Sequence, residues 1–241
     1  MNIGKVACPL FGLSLVLALA RPAAGADTLA LRQRITAGPT GEAREQMQYF
    51  TSGKRITDDA RMRSIIDLDA KTVTMVHKDK KSYTVMTFDE LRDRGVQLKK
   101  TFDNLPPQAR KMLGLDASVT LKPTGKSEKI AGYQAKEYTI EGGPAVGSVW
   151  AADDLNVGSR AQEWEKIAAA MGGPGNKLGD ALAQLNGVQL RTAITTAIGP
   201  HGGKASTTTE VIEVSETPPP PEVLAVPPGF TKVAAPPMPT K

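Results

Sequence analysis

Between Leu29 and Thr87, short runs rich in β-branched and aromatic residues are separated by polar turn clusters. This rhythm commits the stretch to antiparallel strands. The pattern predicts strands over Leu29 to Thr36, Glu45 to Phe50, Lys54 to Thr57, Arg63 to Leu68, Thr72 to His77 and Ser82 to Met86. Side chains alternate faces along a strand, so the connection between the last two strands decides which of their residues share a side. A three-residue connection, Asp79, Lys80 and Lys81, sets Met75 opposite Val85 and His77 opposite Tyr83. Val73, Met75, Tyr83 and Val85 then form one candidate inner face.

A helix is predicted next. Thr87, Phe88, Asp89 and Glu90 have capping-box spacing, in which the Thr hydroxyl and the Glu carboxylate satisfy each other's backbone donors. Phe88, Leu91, Leu98 and Phe102 make the apolar stripe, with Gly95 in the same row. Glycine there costs roughly 1 kcal/mol relative to alanine, which suggests close approach of another element. A short second helix is expected from Pro106 to Met112.

Strands resume over Ser118 to Leu121, Glu128 to Ile130, Gln134 to Ile140 and Ser148 to Ala152. A helical pair follows. Its first member starts near Ser159 and carries Trp164, Ile167 and Met171; Gly172 to Gly175 break it, and Lys177 to Leu185 restart it. Val188 to Ile198 and Lys204 to Val214 read as a hairpin across the turn that holds His201. The prolines 218–221 begin a tail for which an extended polyproline conformation is expected rather than packed structure.

The start of the chain has the three parts of a cleavable secretion signal. These are Lys5, an apolar run from Val6 to Ala20, and Ala24 and Ala26 at the spacing of a cleavage site before Asp27. The run falls short of the roughly 20 residues that span a bilayer, and Pro9 interrupts it. Cys8 leaves with the leader and no lipidation cysteine borders Ala26, so the expected product is a soluble periplasmic protein with no stable membrane anchor. It has no disulfide, thiolate nucleophile or cysteine metal site. Of 241 residues, 26 leave and 215 remain, which suits one domain. The expected division is a signal peptide over 1–26, a single domain over 27–216 and a proline-rich segment over 217–241. Loss of Lys5 and Arg21 lowers the formal charge from +5 to +3. The remaining lysine clusters sit at a turn and a helix end, not on one face, so no nucleic-acid partner is expected.

Motifs for catalysis are weak. Asp67, Leu68, Asp69 after Ile65 and Ile66 imitates the nucleophile segment of haloacid-dehalogenase-type phosphatases, but Lys71 stands where those enzymes carry Thr or Val, and no parallel α/β pattern presents the pair. Gly125, Lys126, Ser127 ends like a phosphate-binding loop, yet Thr120 occupies the first glycine position. His77 and His201 are the only histidines, and there is no G-x-S-x-G elbow. The acid pairs Asp58–Asp59 and Asp153–Asp154 read as turn and helix-start acids. Neither a cofactor nor a metal is expected, and the chain reads as non-enzymatic.

Three stretches resemble a family of secreted bacterial domains of unknown function. The first joins Gly53 to Ile56, Ser64 to Leu68, Thr72 to Met75 and Lys81 to Thr84. The second runs from Ile130 to Tyr138 and leads to Trp150, and the third is Val226 to Phe230. More distantly, the pattern resembles the periplasmic lipoprotein carriers of the LolA and LolB type. That resemblance implies a mainly β (α+β) fold in which a curved antiparallel sheet forms a half-barrel around helices and holds acyl chains. The carriers have an Arg-Pro pair after an early strand; here Arg55 is followed by Ile56. The resulting expectation is a non-catalytic binder of an acyl, lipid-like or other apolar ligand, including a lipoprotein acyl chain. Met75, Tyr83 and Val85 form its floor, Leu91, Leu98 and Phe102 line it, and Trp164 and Met171 sit on a lid hinged at Gly172 to Gly175. The alternative is an interaction or sensor module that docks on an envelope protein through its concave face or its proline-rich tail.

Overall fold

A computed structural model of the chain describes residues 28–38, 41–112, 115–142, 145–155, 157, 163, 166–167, 177–198 and 203–235. Among these, the first six strands are β1 (Thr28–Ala37), β2 (Glu42–Thr51), β3 (Lys54–Asp59), β4 (Met62–Asp67), β5 (Thr72–His77) and β6 (Ser82–Thr87). Each pairs antiparallel with the next, as the turn-punctuated pattern requires. The chain then leaves through α1 (Phe88–Asp103) and α2 (Pro107–Met112). It returns as β7 (Thr120–Ile130), β8 (Tyr133–Glu141) and β9 (Ala145–Ala152), passes α3 (Lys177–Leu182), and continues as β10 (Val188–Ile198) and β11 (Gly203–Ser215). The last element, β12 (Thr231–Lys232), follows a 3₁₀ turn at Pro221–Val223.

The twelve strands of the described residues lie in one open, mainly antiparallel sheet ordered β12-β6-β5-β4-β3-β2-β1-β11-β10-β9-β8-β7. Pairing of β1 with β11 joins the two meanders. The registers break at Arg32/Gln33, Gln189/Arg191 and Pro123/Ser127, and bulges of this kind bend strands and increase their twist. The separate short strands expected over Ser118 to Leu121 and Glu128 to Ile130 are therefore one strand, β7, with a bulge at Gly125 (φ 79°).

The turn between β5 and β6 differs from expectation in a way that matters. His77 pairs with Ser82 and Met75 with Thr84, so the connection is four residues, Lys78 to Lys81, not three. Lys81 closes it in the left-handed region (φ 46°), as Lys71 (φ 53°) closes the sister turn between β4 and β5. One extra residue moves every partner across the sheet. Tyr83 and Val85 lie opposite Val76 and Thr74, on the face that Met75 does not occupy.

The two faces of the β1–β6 half bury different things. One face, here the core face, carries Leu29, Leu31, Phe50, Ile66 and Val73 in the main cluster, which continues through Leu190, Val211 and Ala152 in the other half. The other carries Ala30, Tyr49, Ile56 and Ile65, covered by Val223 and Leu224 from the C-terminal segment. Leu31, Ile56, Val73, Val76 and Leu190 are fully buried, each contributing about 1.5–3 kcal/mol.

The C-terminal segment is a packed strap. Seven strand spacings separate β11 from β12, roughly 33 Å. Residues 216–230 must cover that distance, and an extended polyproline chain of this length reaches roughly 46 Å. Pro220 has that backbone conformation (φ −55°, ψ 140°). Extension was legible from the prolines; packing was not. Pro219 and Val223 are buried, and β12 ends the strap by pairing parallel with β6, with Thr231 and Val233 donating to the carbonyls of Lys81 and Tyr83.

Candidate functional site

The register places the core-face side chains of β1 to β6 in rows that run across the strands. The first row is Leu29, Phe50, Arg55, Ile66, Val73 and Met86; the second is Leu31, Gln48, Thr57, Ser64, Met75 and Thr84. The third is Gln33, Gln46, Asp59, Met62, His77 and Ser82. Successive rows are one pleat apart, roughly 7 Å. The face thus grades from a row that is hydrocarbon apart from Arg55, through a row of mostly amide, hydroxyl and thioether groups, to a mostly polar rim.

The polar groups of this face form a network. Gln46 Nε2 donates to Gln33 Oε1 at 2.8 Å. The Gln48 oxygen, with its amide turned toward β3, accepts from Arg55 Nε at 3.0 Å and Nη2 at 2.7 Å. Arg55 also stands 5.4 Å from the Phe50 ring centroid, where the cation meets the negative face of the ring. The alternation Leu29, Leu31, Gln33 placed a glutamine on an apolar face of β1. That alternation is the sequence signal for this network.

Helix α1 borders the site. Its capping box is formed: Thr87 Oγ1 accepts from the Glu90 amide at 3.1 Å, and Glu90 accepts from the Thr87 amide at 2.7 Å. The Thr87 amide and the Thr87 hydroxyl, the latter at 3.1 Å, both donate to the Glu90 carboxylate and hold it below its ordinary value. Phe88 and Leu91 pack on the main cluster. No residue of the helix is buried, however, so the stripe ending in Leu98 and Phe102 is only half covered.

The expected floor and lining divide accordingly. Met75 and Leu91 both pack against the main cluster on the core face, while Leu98 and Phe102 are half-buried farther along α1. Tyr83 and Val85 are not part of the floor, because the four-residue turn puts them on the strap face. Trp164 and Met171, the hinge at Gly172 to Gly175, and His201 lie outside the described residues.

The strap face is tied by Arg63, whose Nε donates to Asp58 Oδ1 at 2.8 Å and whose Nη1 donates to the carbonyls of Glu222 at 2.6 Å and Ala225 at 3.0 Å. Lys78 Nζ also lies 2.8 Å from Asp58. Burial, with the nearby carboxylates of Asp58 and Glu222, pushes the Tyr49 phenol above its ordinary value. Toward the other half the same face becomes a ladder of opposite charges: Glu45 with Arg32 and Arg34, Arg32 with Glu213, and Arg191 with Glu210 and Glu128. A solvated face explains that pattern.

The acid motifs have local partners. Asp67 Oδ1 accepts from the amides of Asp69 (3.1 Å) and Ala70 (2.8 Å), and the side chain pairs with Lys54. Burial alone would raise its pKa; the amide of Ala70, Lys54 and the amide of Asp69 together outweigh it and hold the carboxyl below its ordinary value. Asp67 is thus a turn-forming acid. Among the described residues, no three histidine, cysteine or acid side chains gather to hold a metal ion. No helix of the described residues is long and apolar enough to cross a membrane. An open hollow of ≈ 470 Å³ beside β7 is lined by Leu115, Val119, Lys177, Asp180, Ala181 and Gln184, among others.

The family model "Domain of unknown function (DUF4412)" matches residues 38–230, and the chain belongs to that family. Two solved structures of PNGF-II, in C2 and P21 space groups, are similar at 12% and 14% identity, each with a TM-score of 0.42. They cover 86% and 87% of this chain, which spans only 31% and 32% of theirs. No curated protein matches the sequence.

Proposed function

We propose that this member of the family is an exported, periplasmic binding protein that holds an acyl, lipid-like or other apolar ligand without changing it chemically. In this reading the curved sheet acts as a half-barrel of the LolA type, with α1 beside its mouth. The observation that supports it is the graded core face beside a helix that keeps an apolar stripe half uncovered. The first row is hydrocarbon apart from Arg55, the second carries hydrogen-bonding groups beside Leu31 and Met75, and Leu91, Leu98 and Phe102 stand on the helix. Each methylene taken from water contributes about 0.8 kcal/mol, so even a partly accommodated chain binds usefully. Met75 adapts to such a chain because its thioether is flexible and polarizable.

The test is to purify the protein after export, extract it with organic solvent and identify any lipid, then measure displacement of a fluorescent fatty acid. Co-purified lipid and saturable displacement are expected. An extract without lipid, together with no displacement, refutes the reading.

A further inference from the structure

The two edges of the sheet are guarded in different ways. Beyond β7 no strand lies among the described residues, and β7 carries its own protection. Lys122, Pro123, Lys126 and Lys129 are exposed along it, and its register breaks between Pro123 and Ser127, around the left-handed Gly125. Proline removes a donor, lysine sets a charge against a neighbouring chain, and a bulge twists the ladder away. This edge is a poor template for another strand.

Strand β6 has none of these devices. From Ser82 to Thr87 it is uncharged, free of proline, and built mainly of β-branched and aromatic residues, the composition of strands that pair with other chains. Its outward backbone groups are nonetheless taken. The carbonyls of Lys81 and Tyr83 accept from Thr231 and Val233 at 3.0 and 2.9 Å, and the Thr87 amide donates to the Glu90 carboxylate at 2.7 Å. Alternate residues of a strand turn their backbone groups to the same edge, so Val85 also faces that side. Strand β12, which supplies the cover, has the features that β6 lacks. It is two residues long, includes Lys232, and stands in the sequence between Pro227, Pro228 and Pro236, Pro237. The strap crosses the whole β1–β5 meander to set this blunt strand against β6.

We infer that the C-terminal strap is an edge guard, and that the edge of β6 beneath it is a latent self-association surface whose partner is a second copy of this chain. An uncharged strand edge is self-complementary. Two copies pair antiparallel about a two-fold axis, each satisfying the other's outward N–H and C=O groups. With β12 in place this edge is closed; when β12 lifts, Tyr83 and Val85 meet the second copy.

Sedimentation velocity of the exported protein over a concentration series tests this. Thr231→Pro combined with Val233→Pro removes the two N–H groups that hold β12 on β6, and leaves the Arg63 bonds and the Val223 contact of the strap in place. The parent is expected to be monomeric throughout. The double variant is expected to move toward about twice the monomer mass as concentration rises. Adding Val85→Lys is expected to return it to the monomer, because a charge on an edge strand opposes pairing. A double variant that stays monomeric at every concentration overturns the inference. Association that Val85→Lys leaves unchanged also overturns it, since another surface or unfolding is then responsible, as does a parent that associates as readily as the double variant.

Discussion

Replacing Arg63 with methionine tests whether the C-terminal strap is part of the folded unit. The Arg63 side chain is 7% exposed and makes three hydrogen bonds: one to Asp58, and two to the carbonyls of Glu222 and Ala225. Breaking a buried ion pair by removing one partner costs about 3–5 kcal/mol. Two features place this case at the lower end. Lys78 stays 2.8 Å from Asp58, so the carboxylate keeps a cation. Glu222 and Ala225 are exposed, so water can reach their carbonyls. Methionine also retains much of the volume of the arginine stem. The expected loss is about 3 kcal/mol. With a urea slope of about 3 kcal/mol per molar for a chain of this size, the midpoint falls by about 1 M. Urea unfolding followed by tryptophan fluorescence measures it, and trypsin cleavage at Lys232 in native buffer reports strap release. The comparison is Lys122→Met, whose partner Glu141 is exposed and for which almost no shift is expected. A midpoint change in Arg63→Met no larger than in Lys122→Met, with Lys232 equally protected, would refute the latch.

Thr87→Ala removes the hydroxyl half of the α1 capping box; it is expected to cost about 1 kcal/mol. The effect should appear as faster amide exchange in residues 88–94, with the strand amides unaffected, because no α1 residue is buried. Gly187→Ala forces a side chain onto a backbone at φ 80° and sets its Cβ 2.0 Å from the Ala152 carbonyl; a loss of more than about 2 kcal/mol in urea unfolding is expected. For Asp67, the folded pKa is depressed, so its contribution is present above the ordinary carboxylate value and is lost as pH falls through the lower folded value. Asp67→Asn should therefore flatten part of the acid limb of a melting-temperature profile below about pH 4, and an unchanged limb would show that the Lys54 pair and the turn amides do not stabilise the fold.

The sequence on its own determined the local elements. Alternating β-branched residues and polar turns located β1 to β6 to within a few residues, because strand periodicity and turn chemistry are properties of neighbouring residues. The capping box at Thr87 and Glu90 was equally legible, since all its donors and acceptors lie within four positions. What only the tertiary structure decided depended on counts and pairings across the chain. A single left-handed residue, Lys81, lengthened one turn and moved Tyr83 and Val85 off the face of Met75. The strap became structure rather than tail because β11 and the edge strand β6 lie on opposite sides of the β1–β5 meander, a distance set by the sheet order and not by the prolines. The polar row of Gln48, Thr57, Ser64 and Thr84 exists only through register: four strands, each ordinary when read alone, bring these groups into line because hydrogen-bonded pairing fixes which residues meet.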